Sequence, residues 1–221
     1  MTKLKRFKDR MQAGELLSHR LTAYARRPDV IVLALPRGGV PVGFVVAKKL
    51  AVPLDILLVR KLGFPGQEEY AMGAIASGGI CILQAEAMSA LDIPVPVIEA
   101  VAQRELREIE RREKNYRADR PPPQLQEHVV ILVDDGLATG ATMQVAVHVV
   151  RNANPARVIV AVPVGAPDTC EKLRGEVDEL ICLSTPDPFY AVGMWYEDFE
   201  QVNDEEVKNM LEEAWGEQRI K

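Results

Sequence analysis

An aliphatic run that ends in two adjacent carboxylates and breaks into a Gly/Thr/Ala loop, VILVDDGLATGATM at 130–143, constrains this chain more than any other feature. The apolar part reads as a buried strand, the small residues as a loop, and the apolar spacing after Ala141 as the start of a helix. Such a loop brings unpaired backbone N–H groups and the positive end of a helix dipole to one spot. Thr139 and Thr142 add hydroxyl donors, so the loop suits a phosphate. Asp134 and Asp135 would repel that anion directly; their natural partners are neutral hydroxyls or a divalent cation such as Mg2+. A phosphorylated sugar with free vicinal hydroxyls meets both demands. Taken alone, an Asp-Asp pair at a strand end is equally readable as a turn signal and a helix cap.

The rest of the chain alternates in the same manner. Ala13, Leu17, Leu21 and Tyr24 share one face of a helix over 11–26 that Pro28 stops. A strand over 30–35 leads through PRGG at 36–39 into a helix reaching about Leu50, with Pro41 in its first turn. Further strands are expected over 55–60, 80–84, 129–133, 157–164 and 179–183, and helices over about 141–152 and 167–173. Continuous Val/Ile/Leu strands joined by helices imply an α/β fold whose parallel sheet is covered on both faces. Ligands of such sheets bind at the carboxyl ends of strands, where PRGG and DDGLATGAT both fall.

Between Pro94 and Pro123 the pattern predicts a charged amphipathic helix over about 97–120, with Ile98, Ala102, Leu106, Ile109 and Tyr116 near one face. Glu108/Arg112, Glu110/Lys114 and Glu113/Arg117 support it at four-residue spacing, mostly as a solvated surface. It either leans over the site or meets a second subunit, which leaves a homo-oligomer as an open expectation. Asn203 and Glu206 form a capping box for a final helix.

Composition removes several classes. With 48% hydrophobic and 27% charged residues the chain reads as globular, and its longest apolar runs are strand-sized, so no membrane partner is expected. The opening MTKLKRFKDR lacks the apolar segment of a secretory signal, and the expected location is the cytoplasm. A net charge of −5 argues against nucleic acid as the main partner. Cys81, Cys170 and Cys182 are widely spaced and odd in number, which favours buried thiols, and His19, His128 and His148 show no ligand spacing. Neither GxxxxGK[ST] nor GxGxxG occurs, so nucleoside triphosphate hydrolysis and dinucleotide redox chemistry lose their usual support.

Three further segments carry chemistry. Arg37 offers a forked cation to a diphosphate, and Gly38 and Gly39 permit close backbone approach, although the same string alone is an ordinary turn. The stretch RKLGFPGQEEYAMGAIASGG at 60–79 is long and Gly-rich. It reads as a lid or binding loop hinged at Gly63, Gly66 and Gly73, or else as a hairpin whose charges are merely solvated. After the last strand come Phe189, Tyr190, Trp195, Tyr196 and Phe199. Packing is the default explanation of such rings, and flat rings also suit stacking on a flat acceptor.

The string Asp134-Asp135-Gly136-Leu137-Ala138-Thr139-Gly140-Ala141-Thr142 resembles the ribose-phosphate motif of the type I phosphoribosyltransferases. In that motif a hydrophobic strand, an acidic pair and a TGxT-type loop hold 5-phosphoribosyl 1-pyrophosphate (PRPP). The resemblance covers roughly residues 28–200. It implies the family's parallel-sheet α/β fold over 1–200, with a small hood and the inserted helix, and a C-terminal helix over 201–221. It further implies Mg2+-dependent transfer of the phosphoribosyl group to a nitrogenous acceptor, with release of pyrophosphate. Arg37, Lys61, Asp134 and Asp135 would be catalytic, and the two acids would also meet Mg2+. PRPP would lie on Arg37, Gly38, Gly39, Asp134, Asp135, Gly136, Ala138, Thr139, Gly140, Ala141 and Thr142. A cis peptide is expected at Pro36–Arg37. Arg60, Lys61, Glu68, Glu69 and Tyr70 fall on the family's flexible loop, and Phe189, Tyr190 and Trp195 where the hood receives a base. No general base is assigned beyond the candidates Glu68 and Glu69. The acceptor is open, with a lean from the aromatics towards a purine-like base. Some relatives of this fold sense PRPP or a nucleotide without turnover, which is the alternative reading.

Overall fold

The structure is a computed structural model in which residues 6–64, 67–83, 94–118 and 120–218 are described. Strands β1 (Val30–Ala34), β2 (Leu54–Ile56), β6 (Val129–Val133), β7 (Arg157–Val164) and β8 (Glu179–Ser184) form one parallel sheet in the order β2-β1-β6-β7-β8. Strands β3 (Val59–Phe64), β4 (Gln67–Ala76) and β5 (Cys81–Leu83) form a separate antiparallel sheet. The helices are α1 (Arg10–Arg20), α2 (Gly39–Leu50), α3 (Val95–Arg117), α4 (Ala141–Asn152), α5 (Pro167–Arg174) and α6 (Asp204–Gln218).

Every residue of β1 and β6 is buried, as a sheet covered on both faces requires. Alternate side chains serve opposite layers. Val30, Val32, Val129 and Ile131 join a core with Leu17 of α1, Val42 of α2, Ile109 of α3 and Leu211 of α6. Ile31, Leu33, Val130 and Leu132 join a second core with Met143 and Val147 of α4 and Leu173 of α5. Each such side chain contributes about 1.5–3 kcal/mol of burial, so the two layers fix the register of the strands between them. Among the described residues no helix is long and apolar enough to cross a membrane.

One expectation is corrected and one open alternative is decided. The single strand over 55–60 is two strands in different sheets. Leu57 still gives its N–H to Ala34 O at 3.1 Å, after which the chain leaves the parallel sheet and Val59 pairs with Ala76. The segment 60–79 takes the hairpin alternative as β3 and β4, with Arg60 opposite Ile75 and a bulge around Gly63. The N–H and C=O groups that β3 and β4 turn towards each other pair across the ladder.

The last helix is tied into the same core. Val207, Leu211 and Trp215 of α6 are buried, and the Trp215 indole N–H donates to Leu54 O at 2.9 Å. The end of α3 is fastened to β2 beside it: Arg117 Nε lies 2.9 Å from Asp55 Oδ1, with both side chains buried.

Candidate active site

From β1 the chain steps to β2 on one side, and from β6 it steps through β7 to β8 on the other, so the strand order reverses between β1 and β6. Crevices at such reversals are where open α/β sheets take ligands. Ala34 pairs with Val133, so the two strands end level and their loops emerge side by side. The loops touch without space for a side chain. A Cβ on Gly38 would sit 2.0 Å from Asp135 Oδ2, and one on Gly39 would sit 2.7 Å from Val133 O. The peptide Pro36–Arg37 is cis, as the resemblance implies.

The two acids, given one role by the sequence, face different ways. Asp134 lines a cavity of about 180 Å3 together with Gly136, Thr139, Thr142 and Val192, and its Oδ1 accepts the Asp135 N–H at 2.8 Å. Asp135 turns inward instead. Its Oδ2 accepts from Arg10 Nε at 2.8 Å, and its backbone carbonyl accepts the Tyr196 hydroxyl at 2.6 Å. Arg10 also donates to Glu200 O at 2.8 Å and lies 3.8 Å over the Phe199 ring. Burial, and then the neighbouring Asp135 carboxylate, push the Asp134 carboxyl well above the usual range. Burial raises Asp135 as well, while the Arg10 guanidinium opposes the rise. Sequence reasoning missed Arg10, which stands 125 positions from its partner and carries no local motif.

The phosphate-type loop is pinned at its middle. Leu137 donates to Val164 O at 2.9 Å and accepts from Ala166 N at 2.8 Å, while Thr169 Oγ1 donates to Ala138 O at 2.6 Å. Ala138, Thr139, Ala141 and Thr142 are left exposed. Gln144 N–H bonds back to Gly140 O at 2.9 Å, so the N–H groups of Ala141, Thr142 and Met143 precede the helical ladder. Gly140 opens α4 with φ 74°, and a Cβ there would meet Thr169 Cγ2 at 2.5 Å. Gly140→Ala is therefore expected to cost about 1–3 kcal/mol in thermal unfolding, combining a left-handed backbone with a clash. A melting curve unchanged from that of the parent would contradict this account of the loop. Thr169 and Val192 support the loop from α5 and the hood, and neither was visible in the motif.

The other expected residues are dispersed around this centre. Arg37 NH1 is 3.8 Å from Asp204 Oδ1, and the Tyr116 hydroxyl donates to the same oxygen at 2.5 Å. Burial, then the bond to Asp204, pushes the Tyr116 phenol up to about 12. Arg60 is bound to Glu105 of α3 at 2.5 Å, and Lys61 beside it is exposed on β3. Glu68, Glu69 and Tyr70 lie on β4, but their side chains fall outside the described residues, as does Gly66. In the hood, Phe189 and Trp195 pack against a small cluster that includes Val164 and Tyr196. The Trp195 indole N–H is buried without a partner among the described residues, and Tyr190 is 74% exposed.

A family model described as a phosphoribosyl transferase domain matches residues 4–197. Two curated proteins of Mycobacterium tuberculosis, from strains CDC 1551/Oshkosh and H37Rv, bear names that assign them provisionally to the phosphoribosyl transferases. Each is 42% identical over 211 residues, covering 96% of this chain and 47% of the relative. The chain thus spans about half the length of the curated relatives it matches. The crystal structure of TT1426 from Thermus thermophilus is 42% identical with a TM-score of 0.83, over 95% of this chain and 99% of that one.

Proposed function

This chain belongs to the phosphoribosyl transferase domain family, and on that premise we propose that it moves the 5-phosphoribosyl group of PRPP to a nitrogenous acceptor, releasing pyrophosphate. One observation carries the reading: the PRGG and DDGLATGAT loops meet at the reversal of strand order, and beside that contact Asp134 and the start of α4 line one cavity.

In this reading the N–H groups opening α4, with Thr139 and Thr142, hold the 5-phosphate. Asp134 takes the ribose hydroxyls. Arg37 and the backbone at Gly38 and Gly39 receive the diphosphate. The acceptor nitrogen attacks C1 as the C1–O bond to the diphosphate breaks, with inversion and with positive charge developing on the ring. Asp134 faces that charge, and Arg37 and Lys61 face the departing anion. The rate gain then comes from orientation and preorganised charge. Tyr190, exposed in the hood, is the ring we assign to the acceptor, with Phe189 and Trp195 behind it; a purine-like acceptor fits these rings. Glu68 and Glu69 stand as candidates for the general base.

The donor set bears on the metal. Mg2+ is commonly held by one or two carboxylates plus substrate phosphates. Among the described residues no group of three or more His, Cys, Asp or Glu converges on one point. Asp134, on the cavity wall, fits an ion that arrives with the diphosphate, whereas Asp135 is engaged by Arg10. Such an ion would supply charge neutralisation of the diphosphate.

The test is incubation with Mg2+, PRPP and a panel of bases, reading pyrophosphate release. Release with at least one base is expected. Uptake of PRPP without release from any of them would favour the sensing alternative. Asp134→Asn should weaken PRPP binding by roughly ten- to a hundred-fold, the worth of charge-assisted hydrogen bonds to the ribose, as read by calorimetry.

A further inference from the structure

Asp204 stands in the first turn of α6, beyond the residues matched by the family model, yet it reaches the loop that carries Arg37. As a first-turn acid it favours the positive end of α6, and three observations give it a further place. The N-terminus of α6 is already capped by Asn203 and Glu206, which exchange hydrogen bonds of 2.8 and 2.9 Å. Its Oδ1, the oxygen nearest Arg37, also accepts from Tyr116 of α3, whose ring is buried in the core. Nearby Arg111 and Arg112 are each taken by Glu108 at 2.8 Å, and among the described residues Arg37 is the cation within 4 Å of the Asp204 carboxylate.

The two partners are unequal. Asp204 is held by a buried phenol, while Arg37 touches it only at 3.8 Å, beyond hydrogen-bond length. An arginine presents five donors in a planar fork, and this contact uses one edge of it loosely. A diphosphate would have to draw the guanidinium away from the anchored carboxylate.

We propose that Asp204 is a positioning residue that competes with the departing diphosphate for Arg37 and so limits how tightly that product is held. This rests on the reading of Arg37 as the diphosphate's partner. Tyr116 sets the carboxylate in place, and the inserted helix α3 thereby acts on the site through one hydrogen bond.

The experiment is calorimetric titration of the full chain with inorganic pyrophosphate and, separately, with ribose 5-phosphate. Asp204→Asn keeps an oxygen for the Tyr116 hydroxyl and removes the charge. Pyrophosphate binding should tighten by about two- to five-fold, the range of a partly exposed ion pair, with ribose 5-phosphate binding unchanged. In an Arg37→Gln background the same substitution should have no effect on pyrophosphate. A merely structural residue could not produce a gain confined to one ligand. Unchanged or weaker pyrophosphate binding would overturn the proposal, as would an equal gain with ribose 5-phosphate or a gain that survives Arg37→Gln. Failure of the parent protein to bind either ligand would overturn the site reading on which the proposal stands.

Discussion

Arg117→Ala is expected to lower the unfolding free energy by about 3–5 kcal/mol, the range for breaking one side of a buried ion pair. For a domain of this size that is roughly 6–20 °C in melting temperature. Arg117 and Asp55 are 5% and 6% exposed, and their bond is one of several that satisfy the guanidinium. Arg117 also reaches Glu113 Oε1 at 2.6 Å and Ile56 O at 2.6 Å, while Asp55 Oδ1 accepts the Ile56 N–H at 2.7 Å. Burial pushes the Asp55 carboxyl up, and the charge of Arg117 is the main influence holding it down. Removing the arginine leaves that buried carboxylate without its cation. Replacing both partners together, Asp55→Leu with Arg117→Met, should recover most of the loss, since the cost lies in the orphaned charge. Thermal unfolding of the three proteins decides it: a single variant that melts with the parent would mean that water reaches the pair.

Gly38→Ala should be the more damaging change for ligand binding. The backbone there has φ −60° and ψ −33°, which alanine adopts without strain, so any effect comes from the added methyl group. That methyl would fall 2.0 Å from Asp135 Oδ2. Asp135 would have to turn away from Arg10, and the hood residues Phe199 and Glu200 would lose the guanidinium that holds them. We expect a stability loss of about 1–3 kcal/mol from overpacking. Binding of PRPP should weaken by roughly ten- to a hundred-fold as the two loops part. Calorimetry on a variant that still melts cooperatively is the measurement. Parental affinity would show that contact between the loops is dispensable.

Elements written in local pattern were legible in the chain. Helix α4 and strand β7 begin and end where the apolar spacing put them, and the pairing of loops at strand ends followed from a parallel sheet alone. What the chain did not disclose depends on partners far away in sequence. The stretch 56–59 is apolar throughout, and only the competing ladders of β1 and β4 decide where it divides. Glu113/Arg117 was readable as a four-residue pair on a solvated helix, and the pair exists; that Arg117 is buried over β2 depends on Asp55, 62 positions earlier. The acid pair shows the same limit. Adjacent residues at a strand end point to opposite sides, so Asp134 meets the cavity while Asp135 meets Arg10, and no spacing in the motif names that arginine.

The bridge between Phe7 and Tyr196 has a bearing on how the molecule is made. Phe7 gives its N–H to Trp195 O and accepts from Glu197 N, both at 2.8 Å, and Arg10 bonds to a carbonyl 190 positions later. On a ribosome adding about 5–20 residues per second, α1 would wait roughly 10–40 s for the segment it grips. The sheet can assemble strand by strand in that interval, but Asp135 gains its full surroundings only when the hood emerges. Translation order thus places the acid pair's enclosure after every strand of the parallel sheet has emerged.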